Sequence, residues 1–494
     1  MLARLIARSF LPQVLLVFCL VAPGWAQAET FPQGVATGDV SATSAIVWTR
    51  TIEPMKLRLE WSSEGGDSDS VELETEASAD NTVQHTLTAL EAATTYRYRF
   101  TSVSGDEAAG SFTTAPARDA SSPVHFLVGG DLGGQAFCRH ADRGYVVFEA
   151  MGSLAPDFFI ANGDMIYADN PCPADGPGDW VNLPGDFPGI ADVDWTDQAA
   201  LDDAIYGHWR YNRADPHHRT FLEKVPMYVQ WDDHEVINDF GLAWPEWPLA
   251  PEREGWRALV ETGVDALFNF NPMTRHADEP RRIYRSFRWG KDVEVFLLDA
   301  RSYRSANDLP DTPKSGKTML GAEQLAWLEK GLIESDATWK IVSSDVPLSL
   351  PTGSNAHIWG RDGFADGRRD DFSSRTGAER ELLGLLEELD RANVKNLVVV
   401  VTDVHLAATL RYQPDLDGDG DALIFHALIN GPLNAVAVPT PPHIDATLRP
   451  TILYAEGGFF NFSEVRIDGK RLVTTIRDEQ GEVRHGSRLE IEAE

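Results

Sequence analysis

The sequence predicts an α/β protein in two parts, a small β-sandwich followed by a larger layered domain. Three observations predict it. From Phe31 to about Ala117 the apolar residues alternate with strand period and no helical spacing appears. After Pro123, apolar strand runs alternate with helical stretches. Six of those runs end on an aspartate: 124–131 (VHFLVGGD), 158–164 (FFIANGD), 227–234 (MYVQWDDH), 295–299 (VFLLD), 341–345 (IVSSD) and 397–405 (LVVVVTDVH). Side by side in a sheet, such ends lie where open α/β sheets place their sites. Carboxylates gathered there would repel one another and be expensive to bury, so the pattern points to multivalent cations.

The elements follow in order. Residues 1–28 carry Arg4 and Arg8, an apolar stretch from Phe10 to Trp25, and Ala26-Gln27-Ala28, which together predict a cleaved signal peptide. Pro12, Gln13 and Pro23 break the stretch, which falls short of the roughly 20 residues needed to span a bilayer. Residues 29–117 are the sandwich, with alternating runs at 44–51, 56–62, 83–90 and 95–101 separated by Gly, Asp, Ser and Asn. Leu90, Thr94 and Tyr96 resemble the corner of fibronectin-like domains, where a tyrosine hydroxyl ties back to the backbone. Residues 113–123 have linker composition, and the second domain runs over 124–494. Leu325, Leu328 and Leu332 predict one packing helix, and Leu382, Leu385, Leu386 and Leu389 another. Residues 171–195 are rich in Pro, Gly and Asp and predict a long surface excursion.

Composition limits the function classes. The 494 residues include 14 Trp and 23 Phe, enough for a sizeable core, and the formal net charge is −33. So acidic a surface argues against stable complexes with nucleic acid or anionic lipid. It leaves a small phosphate substrate open, because bound cations invert the local field. No segment after the leader is apolar enough to cross a membrane, so a periplasmic or secreted monomer is expected. Only Cys138 and Cys172 follow the leader; they could pair, or Cys138 could bind metal and leave Cys172 free.

The candidate ligands lie at the strand ends. In Gly163-Asp164-Met165-Ile166-Tyr167 one turn brings both polar side chains to one side, so Asp164 can bridge two cations while Tyr167 binds one; a phenolate favours a hard trivalent ion such as iron. Asp131 supplies a first acid. Of Asp232 and Asp233 only one is expected to reach metal, because neighbours on an extended strand point to opposite faces; Asp403 and His405 share a face. His234 is placed to meet the substrate. Asp299 and Arg301 read as a structural pair, His217 and His218 as local hydrogen bonding, His357 as a loop histidine, and the 415–421 segment (DLDGDGD) as a hairpin tip.

In their order the segments GDMIYAD, HWRYNRADP, VQWDDHE, FLLDARSYR, LGAEQLAWLEKGL and VTDVH resemble the alkaline phosphatase D (PhoD-like) family of metallophosphoesterases, over most of the chain. The resemblance implies a four-layered α/β/β/α calcineurin-like core, Fe3+ with Ca2+ or another divalent ion such as Zn2+ or Mn2+, and hydrolysis of phosphate monoesters or diesters by a metal-bound hydroxide. Carried over by motif, Asp164 bridges the metals, Tyr167 and Cys138 bind the iron, Asp233, Asp403 and His405 complete the shell, and His234 is the catalytic residue. The family's Ser-Cys after the first strand is absent here. Asp131 holds that strand end, as in the related purple acid phosphatases, and Asp345 stands where those enzymes place a metal-binding histidine. The family's twin-arginine leader is also absent. A phospholipase D type activity, or an extracellular binding protein that keeps its cations for structure, are the alternatives.

Overall fold

The computed structural model describes residues 29–66, 68–241, 254–307, 309–352, 362–365, 377–439 and 444–494; the predicted leader and His357 lie outside them. Two large sheets face each other. The first has nine strands and contains Val124–Gly129, Phe158–Asn162 and Met227–Gln230 as parallel neighbours. The second has seven and contains Val293–Leu297, Trp339–Ser344, Leu397–Val401 and Phe425–Ile429, also parallel.

Strand alternation builds the layers directly. Phe126, Phe158 and Ile160 point inward and meet Val295, Leu297, Ile341, Val398 and Val400 of the opposite sheet. Their neighbours Leu127, Phe159 and Ala161 point outward to helices Val147–Ser153, Gln198–Arg213, Pro216–Leu222 and Trp256–Phe270. On the other side Phe296, Val342, Val399 and Val401 pack on helices Gly321–Glu334 and Glu379–Arg391, both predicted from leucine spacing. The order is therefore helix, sheet, sheet, helix. Burying two faces of each sheet explains why the parallel strands read as continuous apolar runs.

The amino-terminal strands are shared between two structures. Lys56–Ser63, Ser68–Glu74, Thr95–Ser102 and Glu107–Thr113 form a separate four-stranded sheet. It packs against Val35–Gly38, Ala45–Arg50 and Thr82–Leu87 through Val35, Val47, Leu57, Leu59, Tyr98 and Phe100. Those last three strands also extend the nine-stranded sheet, joined where Gly38 pairs with Met227. A buried ion pair, Asp39 with Arg285 at 2.7 Å, ties the residue after Gly38 to strand Arg285–Trp289 of the seven-stranded sheet. The Tyr96 hydroxyl accepts the N–H of Glu91 at 2.9 Å, which is the expected corner. Residues 415–421 form the hairpin tip between Leu406–Tyr412 and Phe425–Ile429, their carboxylates accepting their own backbone N–H groups. Among the described residues no helix is long and apolar enough to cross a membrane.

Both sheets direct their carboxyl ends the same way. Asn162 donates to the Ser343 hydroxyl at 2.6 Å, and the Thr402 hydroxyl donates to the Asn162 carbonyl at 2.7 Å. The site forms beyond these bonds.

Candidate metal centre

Immediately past the strand ends the backbone turns sharply. Asp131 (φ 59°), Asp164 (φ 53°), Asp403 (φ 69°) and His405 (φ 58°) all adopt left-handed conformations, which few residues other than glycine hold without cost. Each turn swings its side chain across the end of the sheet. Two glycines make room: a Cβ on Gly134 would lie 2.4 Å from the Tyr167 ring, and one on Gly431 would lie 2.1 Å from Oδ2 of Asp131.

The result is a continuous cluster with two overlapping halves. Ligand atoms of Asp131, Asp164 and His405 lie within 4.8 Å of one another, as do those of Asp164, Asp233 and His234, and those of Asp232, Asp233 and Asp403. Asp164 belongs to the first two groups and Asp233 to the last two. The Tyr167 hydroxyl, 2.9 Å from Nε2 of His405, joins the first half. All are buried except Asp403, which is half-buried.

The donor set fits cations. Asp131 Oδ2, Asp164 Oδ2, Asp232 Oδ2 and Asp233 Oδ1 are buried without a hydrogen bond. An unpaired buried carboxylate costs several kcal/mol, so orphaned oxygens on residues whose ligand atoms lie this close together are suited to hold a cation. Burial pushes the carboxyls of Asp131, Asp164 and Asp403 well above the usual range; the neighbouring Asp233 charge adds to this at Asp164, and that of Asp362 at Asp403. Burial beside Asp164 also raises the Tyr167 phenol, so a cation is needed to draw off its proton.

Around this cluster a buried framework holds the ligands in place. Glu235 accepts the backbone N–H groups of Asp164, Met165 and Asp232. Arg301 takes Asp232 through Nε at 2.6 Å and Asp362 through Nη1 at 2.5 Å, while Arg304 also holds Asp362. Arg301 thus partners one oxygen of Asp232, while Asp232 Oδ2 has no hydrogen bond and a ligand atom of Asp232 lies within 4.8 Å of those of Asp233 and Asp403. The Thr352 hydroxyl donates to Asp403 at 3.0 Å. Asp239 and Asp362 lie within 4.8 Å of Asp233. His234 donates from Nδ1 to Asp169 at 2.7 Å and lies against the Tyr167 ring, centroids 4.1 Å apart. Burial would lower the His234 imidazole, but Asp169 and then Asp233 overcome it and lift it to about 9.

Three sequence expectations are corrected. Cys138 is bonded to Cys172, so its sulfur is no thiolate and leaves the ligand set. The bridge instead pins the loop after Asp131 to the 171–195 excursion. Asp345 does not reach the cluster; its carboxylate accepts the N–H of Ala300 with both oxygens and braces the neighbouring strand end. The predicted Asp299–Arg301 pair also dissolves: Asp299 accepts the N–H groups of Arg301 and Ser302 and the Trp231 indole, and the guanidinium goes to Asp232 and Asp362. His218 bonds the Asn212 carbonyl and stacks on Phe148, and His208 bonds two backbone carbonyls, so both are structural. Asp169, Glu235, Asp239, Asp362, Arg304 and Thr352 had no assigned role. Asp169, Glu235 and Arg304 lie inside the GDMIYAD, VQWDDHE and FLLDARSYR segments, which is the signal available. Asp362 stands far from any motif.

Two facing sheets that gather carboxylates, a phenol and imidazoles at the ends of their parallel strands define the metallophosphoesterase class. The backbone is similar to that of the purple acid phosphatase PPD1 from yellow lupin (Lupinus luteus) seeds, with a TM-score of 0.58 at 13% identity over 93% of this chain and 73% of that one. Within the class, the chain belongs to the PhoD-like phosphatase family, whose model matches residues 132–474, with the family's N-terminal domain matching residues 21–116. A solved structure of PhoD is similar at a TM-score of 0.73 and 18% identity, covering 94% of this chain and 90% of that one. Alkaline phosphatase D of Bacillus subtilis (strain 168) is 26% identical over 409 residues, 76% of this chain; the match spans 64% of that relative's length.

Proposed function

We propose that this chain is an exported, metal-dependent phosphoesterase that hydrolyses phosphate monoesters or diesters. The observation that carries the reading is Asp164, a buried carboxylate that belongs to both halves of the cluster and so is placed to bridge two cations. Asp131, Tyr167 and His405 would complete one position, suited by its phenol to Fe3+, and Asp233 and Asp403 the other, suited to Ca2+, Zn2+ or Mn2+. Such a pair, when bound, supplies an activated water and neutralises phosphoryl oxygens. The protein's own residues do the rest. His234, protonated and held through Nδ1 by Asp169, presents Nε2 as a hydrogen-bond donor to the phosphoryl or leaving-group oxygen, and can hand its proton to the departing alcohol. Among the described residues Nε2 has no hydrogen-bond partner. The Cys138–Cys172 disulfide supports export, since such bonds persist in oxidising compartments.

Activity on p-nitrophenyl phosphate and bis-p-nitrophenyl phosphate, with and without a chelator, together with elemental analysis of the native protein, tests this. Turnover lost on chelation and restored by metal is expected; activity on neither ester in a metal-loaded protein would refute it.

A further inference from the structure

Strand Asn461–Asp468 runs antiparallel to Val124–Gly129, with Ser463 opposite Val128. Its amino end therefore lies at the carboxyl end of the strand that leads to Asp131, and Phe460 stands just beyond, on the side of the metal centre. Phe137 comes to the same place from the loop after Asp131, and Trp180 from the 171–195 excursion. Their rings meet edge-on: Phe137 and Trp180 at 5.7 Å, Phe137 and Phe460 at 5.7 Å, Trp180 and Phe460 at 5.5 Å, with interplanar angles of 67°, 83° and 88°. All three are only half-buried.

This cluster is tied to the ligands by short polar links. The Asn434 amide donates to the Phe137 carbonyl at 2.5 Å, and the Asn434 N–H donates to the Asp131 carbonyl at 3.0 Å. Next to Phe460, Asn461 accepts the N–H of Gly431, the glycine that lies against the Asp131 carboxylate. Two residues beyond Asn434, the Val436 carbonyl accepts from Nδ1 of His405 at 2.6 Å, and its side chain is 39% exposed. Packing alone does not call for three partly exposed aromatic rings at the rim of so acidic a centre, where each keeps apolar surface in water. A planar apolar group laid against them would remove that surface and gain edge-to-face contacts. Arg143 lies 5.1 Å above the Trp180 ring, His140 meets it edge-on at 5.0 Å, and its indole N–H donates to the Cys138 carbonyl at 3.0 Å, so the ring is held in place.

Resting on the phosphoesterase reading, we infer that Phe137, Trp180 and Phe460 form a subsite for the alcohol portion of the ester and select substrates whose alcohol is aromatic. The test is the ratio of kcat/KM for phenyl phosphate to that for ethyl phosphate. In Trp180→Ala and Phe460→Ala this ratio falls about tenfold, through KM of the phenyl ester, while Trp180→Phe restores most of it. A purely structural role lowers both esters alike and leaves the ratio unmoved, which would overturn the inference. If the metal-loaded wild type turns over neither these monoesters nor bis-p-nitrophenyl phosphate, the functional reading fails separately. The subsite is then judged by calorimetric binding of phenylphosphonate against methylphosphonate: tighter binding of the phenyl compound that Trp180→Ala abolishes supports it, and equal binding overturns it.

Discussion

The imidazole of His234 is bound through Nδ1 to Asp169 at 2.7 Å, and Asp169 is itself held by the N–H of Asn238 and the amide of Asn170. One ring nitrogen is thus committed and the other is left for the centre, which fixes the orientation of the ring. Asp169→Asn keeps the shape but removes the charge. Its kcat is expected to fall about 10- to 100-fold, the range typical of lost orienting partners, with metal content unchanged. Loss of metal in step with rate would contradict a positioning role.

Asp164 and His234 are expected to separate binding from chemistry. Asp164→Ala removes the carboxylate common to both halves and should empty both metal positions by elemental analysis. His234→Ala should retain metal and lose roughly 10²- to 10⁴-fold in rate. Equal loss of metal in the two variants would remove His234 from the role given to it.

Tyr167 offers a spectroscopic check. If its phenolate binds Fe3+, the purified protein has a visible charge-transfer band, and Tyr167→Phe removes or shifts it. An active, colourless protein containing only zinc or calcium would overturn that ligand assignment.

The disulfide and ligand readings of Cys138 predict opposite results for Cys138→Ser. As half of a bridge closing a 34-residue separation, Cys138 contributes about 3 kcal/mol to stability. The variant should unfold at lower denaturant concentration yet bind metal at the wild-type stoichiometry. Loss of one metal per chain would restore the ligand role.

Away from the centre, Glu464 links three elements, accepting from Arg477 at 2.7 Å and Arg466 at 2.8 Å and meeting His125 at 3.1 Å. Burial would raise its carboxyl, but the bonds to His125 and Arg477 prevail and hold it at about 2. A depressed folded pKa means that stability is fully present above the ordinary value of 4.5 and is lost as pH falls toward 2. Urea unfolding should show wild type ahead of Glu464→Gln by roughly 1–2 kcal/mol at pH 7 once solvent screening is allowed for, the gap narrowing between pH 5 and pH 3. A gap independent of pH would exclude the ionic account.

Much of the fold was legible because its signals are local. Alternation along residues 124–129 or 397–401 reports two buried faces whatever lies opposite, and leucine spacing in 325–332 and 382–389 reports a helix face. What escaped was the sharing of strands. Among the described residues, the ladder pairing of Gly38 with Met227 joins the amino-terminal strands to the larger sheet, and nothing in either segment's pattern records a partner so far along the chain.

The sequence by itself determined that aspartates, a tyrosine and histidines end successive buried strands, and hence that acidic groups gather at the carboxyl ends of a sheet; that two facing sheets bring Asp403 and His405 to Asp131, Asp164 and Asp233 came from the tertiary structure. Only the tertiary structure decided their division of labour. Arg301 binds one oxygen of Asp232 and one of Asp362, Ala300 occupies Asp345, Cys172 removes Cys138, and Asp131, Asp164, Asp232 and Asp233 each keep an unpaired oxygen. Which carboxylate keeps its charge for a cation depends on which cation or N–H the fold brings within about 3 Å, a distance that no residue pattern encodes.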